Sequence, residues 1–115
     1  MALVFNANFF EAMGKLTAKE QAACTDFIVQ FQANPAQPGI SLERITARSE
    51  NVWSGRVNQD LRAILYKEGD AWLLLHVDHH DAAYRWAERR DVGRHPITGA
   101  LQVVEGGGQV ARGKG

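Results

Sequence analysis

Hydrophobic and polar positions at the amino end of the chain predict a strand followed by a short helix. Ala2 to Phe5 form an apolar run, and the polar residues Asn6 and Asn8 follow it. Such a run is typical of a strand, and asparagine is a preferred residue at the start of a helix. Both asparagines therefore suit a helix cap, and Asn8, three residues before Glu11, has a loose version of the capping-box spacing.

A second helix is predicted from Thr17 to the residue before Asn34. The run Thr17-Ala18-Lys19-Glu20 has the sequence of a capping box, in which the threonine hydroxyl and the glutamate carboxylate each accept from a backbone N–H of the other residue. An apolar stripe at three- and four-residue spacing follows, made of Ala23, Phe27, Ile28 and Phe31. The pair Asn34-Pro35 then ends the helix.

From Val52 the pattern changes to a period of two, which predicts strands. Residues 52 to 58 alternate, a polar turn follows at Asn58-Gln59-Asp60, and Leu61 to Tyr66 alternate again, as in an antiparallel hairpin. After a turn that contains Gly69, the run Ala71 to Val77 is the most apolar stretch of the chain. We interpret it as a central strand covered on both faces.

The last part of the pattern predicts one more helix and one more strand. Asp78 or Asp81 can cap a helix on which Ala83, Trp86, Ala87 and Arg90 share one side. Residues 100 to 105 can form a short strand. We therefore predict one α+β domain over residues 1–105, with helices on one face of a sheet, and interpret the glycine-rich residues 106–115 as a flexible tail or linker remnant.

Charge and cysteine content limit the classes of function. Thirteen basic and thirteen acidic residues cancel, so no overall field draws the chain onto nucleic acid or an anionic membrane, and any such binding has to be local. The single Cys24 cannot form an internal disulfide, which favours a reducing compartment. No apolar run approaches the roughly 18 residues that cross a bilayer. We expect a soluble, cytoplasmic protein without a membrane partner.

The string SGRVNQDLRAILYKEGDAWLLLHVDHHDAAYRWAERR resembles the pattern of the RelE/ParE toxin superfamily: a basic strand, a turn, an Arg-bearing strand, a hydrophobic strand and a later tyrosine. With the two preceding helices the resemblance covers residues 2 to 91. It implies a RelE-like α+β fold, with an amino-terminal strand and two helices, then a three- or four-stranded antiparallel sheet and a late helix. The wording VDHHDAAYRWAERR, followed by HPITGALQVVE, is also similar to RelE-like domains at the amino end of UvrD-type DNA helicases.

The resemblance implies roles for individual residues. Arg62 matches the central arginine of the family, Arg56 falls where the preceding strand carries a basic residue, and both are expected to hold a phosphate. Tyr84 matches the tyrosine near the cleaved nucleotide. Asp78 departs from the family, because some of the active ribonucleases have a third arginine there. A carboxylate repels phosphate, so this position weakens the expected activity.

His79 and His80 are candidates for proton transfer, because an imidazole can donate a proton to a leaving 5′-oxygen. With Arg56, Arg62 and Tyr84 they form the predicted catalytic set. A structural role at the junction between strand and helix is the alternative for both histidines. Metal binding by His76, Asp78 and His80 is a further alternative, although we expect neither a metal nor another cofactor.

Three functions remain open at this stage. The first is a metal-independent endoribonuclease that cuts messenger RNA at the ribosome, with an antitoxin protein as its partner. The second is a non-catalytic module that binds DNA, RNA or protein and serves a DNA helicase. The third is a ParE-like inhibitor of a topoisomerase, which needs no active site.

Overall fold

A five-stranded sheet is the framework of the protein in the computed structural model, which describes residues 1–106. The predicted tail lies outside these residues apart from Gly106. No helix in the described range is long and apolar enough to cross a membrane. In chain order the elements are β1 (Ala2–Phe5), α1 (Ala7–Gly14), α2 (Ala18–Ala33), a 3₁₀ helix (Pro38–Ile40), β2 (Glu43–Arg44), β3 (Val52–Arg56), β4 (Leu61–Glu68), β5 (Ala71–His79), α3 (His80–Glu88), β6 (Arg90–Arg94) and β7 (Leu101–Glu105).

The strand order β1-β5-β4-β3-β2 confirms the predicted α+β class. Strands β2 to β5 are antiparallel, as expected for hairpins joined by short turns, whereas β1 pairs with β5 in parallel. Strand β5 therefore has neighbours on both edges. This central position agrees with its continuous apolar sequence, which the chain pattern predicted.

The helices lie on both faces of the sheet, so the prediction of helices on one face is wrong. Phe27 of α2 and Leu74 of β5 belong to one cluster of buried residues. Ala83 of α3 and Leu75 of β5 belong to another. Because β4 and β5 are apolar on both faces, each face has to be covered. An added Cβ at Gly55 would lie 2.8 Å from the Phe27 ring, so this glycine allows α2 to pack closely on β3.

The caps of the first two helices are local features that the sequence predicts in part. The capping box of α2 is confirmed: Thr17 Oγ1 accepts from the Glu20 N–H at 3.2 Å, and Glu20 Oε1 accepts from the Thr17 N–H at 2.9 Å. Of the two asparagines that suit a cap of α1, Asn8 does not serve as one. Asn6 caps this helix, since its Oδ1 accepts from the Asn8 N–H at 2.9 Å and the helix already begins at Ala7.

The start of α3 also differs from the prediction, because neither Asp78 nor Asp81 caps it. Strand β5 continues to His79, which takes the N-cap position without a side-chain hydrogen bond. Asp78 Oδ1 accepts instead from the neighbouring His79 N–H at 2.8 Å. The first helical N–H, of His80, donates to the Asp60 carbonyl at 2.8 Å. A backbone oxygen of the β3–β4 turn thus replaces the expected carboxylate.

A second, two-stranded sheet follows α3. The strand predicted at residues 100 to 105 is confirmed as β7, and it pairs with β6, which the pattern did not predict. Arg90 was assigned to the helix by its spacing, but α3 ends at Glu88 and Arg90 begins β6. Val92 and Val103 pack against the buried cluster under α3. The hairpin therefore extends the cover over that face of the main sheet.

Candidate functional site

Three charged residues form one row across the main sheet, next to the β3–β4 turn. In the strand register Arg56 lies opposite Arg62, and Arg62 lies opposite Asp78. Residues directly opposite each other in a sheet project from the same face. Two residues before Arg56, the Ser54 hydroxyl bonds to Tyr84 of α3, so this is the α3 face. The two predicted phosphate-binding arginines therefore share a face, and the departing residue Asp78 shares it too.

The guanidinium group of Arg62 is held by backbone oxygens of the turn. Its Nη1 donates to the carbonyls of Asn58 at 2.8 Å and Leu61 at 3.0 Å, with a longer contact of 3.4 Å to Gln59. Within residues 1–106, Nε and Nη2 make no such bond. Arg62 is thus fixed in position while keeping donors for an anion, and Arg56 beside it is exposed.

Tyr84 connects α3 to two strands through its hydroxyl. The Tyr84 O–H donates to Glu43 Oε1 at 2.7 Å, and the buried Ser54 hydroxyl donates to the same tyrosine oxygen at 2.8 Å. Burial raises the pKa of Tyr84, the Ser54 bond opposes this, and Glu43 adds to it, so the phenol stays protonated at neutral pH. Its hydroxyl is occupied. The ring is the part of Tyr84 that is suited to contact a ligand.

The two candidate histidines diverge. His80 stacks on the Tyr84 ring with centroids 4.7 Å apart, and its Nδ1 lies 2.9 Å from Asp81 Oδ1. His79 turns to the opposite face, where its Nε2 lies 3.0 Å from Glu20 Oε2 of α2. The hydrogen bond to Glu20 raises the pKa of His79 above its ordinary value, against a small opposing effect of burial. Arg56, Arg62 and Tyr84 thus lie on the α3 face of the sheet, with His80 stacked on Tyr84, whereas the His79 ring bonds to α2. Both histidines still line one cavity at the start of α3.

Two residues of this site were missed at the sequence level. Ser54 carries no signal, because the alternation groups it with the polar residues Arg56 and Asn58 and so predicts an exposed side chain. Glu43 carries none, since residues 40 to 47 fit neither a helix nor a core strand. As for metal binding, residues 1–106 contain no group of three or more His, Cys, Asp or Glu side chains able to hold an ion.

Comparison with known proteins gives the fold. No model of a protein family and no curated protein matches the sequence. Solved structures do match, with nearly their whole length covered. YafQ from E. coli has a TM-score of 0.60 at 8% identity, over 71% of this chain and 96% of that one. The toxin–antitoxin complex RelBE2 from Mycobacterium tuberculosis has a TM-score of 0.57 at 17% identity, over 69% of this chain and 96% of that one. The YoeB/ParE toxin from Agrobacterium tumefaciens has a TM-score of 0.55 at 16% identity, over 70% of this chain and 99% of that one.

These similarities confirm the RelE-like fold that the resemblance implied. The matched structures are covered by 96 to 99%, so this chain contains that fold almost completely. Identities of 8 to 17% are too low to transfer activity. The function has to be argued from the residues of the site itself.

Proposed function

We propose that this chain is a RelE-like toxin-type domain that holds an RNA phosphate between Arg56 and Arg62 and cuts messenger RNA at the ribosome without a metal. The observation that carries the proposal is the register pairing of the two arginines, with Arg62 fixed on the turn carbonyls. Like charges directly opposite in a sheet repel each other. A phosphate between them removes this repulsion and accepts hydrogen bonds from both guanidinium groups.

The neighbouring side chains suit the cleavage chemistry. In the proposed reaction the RNA 2′-oxygen bonds to the adjacent phosphorus and releases its proton to water, while the P–O5′ bond breaks. His80 gives the leaving 5′-oxygen a proton, and histidine is the side chain most often used for this task. The Tyr84 ring, which stacks on His80 at 4.7 Å, positions the nucleotide base by stacking. Arg56 and Arg62 stabilise the charge that develops on the phosphate oxygens.

An antitoxin is the proposed protein partner. The similar RelBE2 structure is a toxin–antitoxin complex, and YafQ has been solved in complex with DinJ. We propose that a small protein of this kind covers the face that carries Arg56 and Arg62. Such a partner would cover both arginines and would keep this face from reaching the ribosome. It would therefore switch the activity off.

The second candidate is a non-catalytic nucleic-acid-binding module that serves an adjoining DNA helicase. Asp78 favours it, because a carboxylate opposite Arg62 opposes the stabilisation of the negative charge that develops on the phosphate during cleavage. In this function the same arginines bind a nucleic-acid backbone, but no bond is cut.

The test adds the purified protein to translating ribosomes and maps the 5′ ends of the messenger RNA. We expect cleavage by the wild type, a strong loss in Arg62→Ala and in Arg56→Ala, and no loss in Lys19→Ala. Lys19 is an exposed cation on α2, so it controls for the change in charge. Two variants are needed because only Arg62 supports the turn, whereas Arg56 can be replaced without breaking a turn hydrogen bond.

The outcomes separate the two candidates. Cleavage that survives both arginine substitutions rejects the proposed site. RNA or DNA binding that depends on Arg56 and Arg62 without any cleavage supports the module instead. A protein that neither cleaves nor binds nucleic acid rejects both functions.

A further inference from the structure

A second cavity lies on the other flank of α3 from the candidate site. At 100° per residue, Tyr84 and Trp86 lie on opposite sides of the buried stripe formed by Ala83 and Ala87. Tyr84 faces β2 and β3, whereas Trp86 faces β5, where its ring stacks on His76 at 4.3 Å and 5°. Beside this stacked pair is a cavity of about 370 Å³. No part of the proposed cleavage uses it.

Basic side chains from separate elements line this cavity. Lys15 follows α1, Arg85 comes from α3, Arg89 is the residue after α3, and Arg90 begins β6. The carboxylates on the lining are Asp78 and Glu105, so the cavity has an excess of positive charge in a chain whose formal net charge is zero. Four cations against two carboxylates give this cavity a local positive field, which a chain of zero net charge does not have as a whole.

The four cations are only partly neutralised by neighbours. Arg90 approaches Glu105 at 3.7 Å, and its guanidinium lies 5.0 Å from the Trp86 ring. Arg89 is exposed and forms no ion pair within residues 1–106. Lys15 is exposed as well. These donors remain available to a ligand that enters the cavity.

His76 supplies an independent observation at the wall of the cavity. Its Nε2 is buried without a hydrogen-bond partner in the described part of the chain, and the nearest carboxylate oxygen, Asp78 Oδ2, is 3.7 Å away. A buried ring nitrogen without a partner is unfavourable. Burial lowers the pKa of His76 to about 4, against the opposing effect of Asp78, so the ring is neutral at pH 7. In the tautomer with its proton on Nε2, the neutral ring can donate to an anion oxygen that enters beside Asp78.

We propose that the cavity binds a second backbone phosphate of the RNA that Arg56 and Arg62 hold; this inference rests on the proposed function. Asp78 connects the two places, because it lies opposite Arg62 in the sheet register and two residues after His76 on the same strand. Both sites therefore open on the α3 face, and one strand of RNA can cross it. The planar guanidinium groups of Arg89 and Arg90 match the geometry of a phosphate.

The first measurement is the salt dependence of binding of a labelled single-stranded RNA of about 12 nucleotides, within the range that such sites cover. The plot of log K against log salt has a negative slope, and for single strands each lost phosphate contact decreases the magnitude of this slope by about 0.7. We expect this decrease in the double variant Lys15→Ala/Arg89→Ala and no decrease in Lys19→Ala. Arg62→Ala should decrease the magnitude of the slope separately, through the phosphate at the first site. A triple variant with Lys15→Ala, Arg89→Ala and Arg62→Ala should therefore show the sum of the two decreases.

The second measurement observes the cavity directly through the His76 ring protons by NMR, with RNA or inorganic phosphate as the added ligand. Shifts caused by both ligands, absent from Lys15→Ala/Arg89→Ala and present in Arg62→Ala with phosphate, support the proposal. Shifts caused by inorganic phosphate alone overturn the assignment to RNA. No shift with either ligand overturns the site itself. None of these readings depends on RNA cleavage, so failure of the cavity and failure of the proposed nuclease can be told apart.

Discussion

Arg56 and Arg62 lie directly opposite each other on the neighbouring antiparallel strands β3 and β4. Arg62 donates hydrogen bonds to the turn carbonyls, and Asp78 lies opposite it on β5. Arg56 has neither, and it is exposed. The two like charges therefore repel each other in the free protein, and an anion held between them would remove this repulsion.

Replacing Arg56 with Gln should stabilise the free protein while weakening RNA binding. Removing one of two opposed like charges should raise the free energy of unfolding by about 0.2 to 1 kcal/mol, the usual size of a cross-strand pair. Urea unfolding at low salt measures this change, and fluorescence anisotropy with labelled RNA measures the affinity. Lys19→Gln removes the same charge from α2, and we expect it to change the free energy of unfolding and the RNA affinity less than Arg56→Gln does. An Arg56→Gln protein that is less stable and binds RNA as before would contradict the anion site.

Replacing Asp78 with Asn should strengthen RNA binding. The carboxylate opposite Arg62 repels phosphate by about 1 kcal/mol for charges near 4 Å in water, so we expect about a fivefold gain at low salt that fades at high salt. Asparagine keeps an oxygen that can accept from the His79 N–H, as Asp78 does at 2.8 Å.

The matched control for this change is Asp26→Asn, which removes an exposed carboxylate from α2. Its effect on RNA affinity should be small, because α2 lies on the other face of the sheet. Equal gains in both variants would mean that net charge, not the position of Asp78, sets the affinity.

Local features of this fold could be predicted from the sequence because neighbours along the chain create them. The Thr17–Glu20 capping box spans four residues, and the β3–β4 hairpin needs only a polar turn between alternating runs. The register that places Arg56 opposite Arg62 follows from that turn. Half of the proposed site is therefore already present in one hairpin.

The remaining features depend on contacts between distant residues. Glu43 and Tyr84 are 41 positions apart, and nothing in the short segment around Glu43 indicates that its carboxylate meets a phenol. The direction of His79 depends on Glu20, which is 59 positions away on α2. The choice of face for α3 was also beyond the local pattern, since β5 is apolar on both sides.

The pair of His79 and Glu20 should make stability depend on pH. The pKa of His79 is raised in the folded state, mainly by the hydrogen bond to Glu20. A raised histidine pKa contributes stability that is fully present below the unfolded value, near 6.5, and is lost as pH rises through the folded pKa. Hydrogen bonding to the Thr17 backbone, with a further bond to His79, lowers the pKa of Glu20, so the carboxylate is ionised in this window.

The measurement compares urea unfolding of the wild type and His79→Gln at pH 5.5 and pH 8.5. We expect the wild type to be the more stable of the two at the lower pH, with the difference shrinking at the higher pH. Glu20→Gln should remove most of the pH dependence that His79 contributes, because its partner charge is gone. A stability difference that is the same at both pH values would show that the pair has no electrostatic role.

Replacing Tyr84 with Phe should cost stability and yet leave RNA cleavage largely intact. The hydroxyl joins Glu43 at 2.7 Å to the buried Ser54 at 2.8 Å, so its removal leaves a buried hydroxyl without a partner, at about 1 to 3 kcal/mol. Tyr66→Phe is the matched control, since the Tyr66 hydroxyl makes no hydrogen bond within residues 1–106. Because we assign nucleotide stacking to the ring, Tyr84→Leu should lose cleavage that Tyr84→Phe retains, when both are assayed well below their unfolding temperatures. Loss of cleavage in a folded Tyr84→Phe protein would instead give the hydroxyl a direct part in proton transfer, which would require its bond to Glu43 to open when RNA binds.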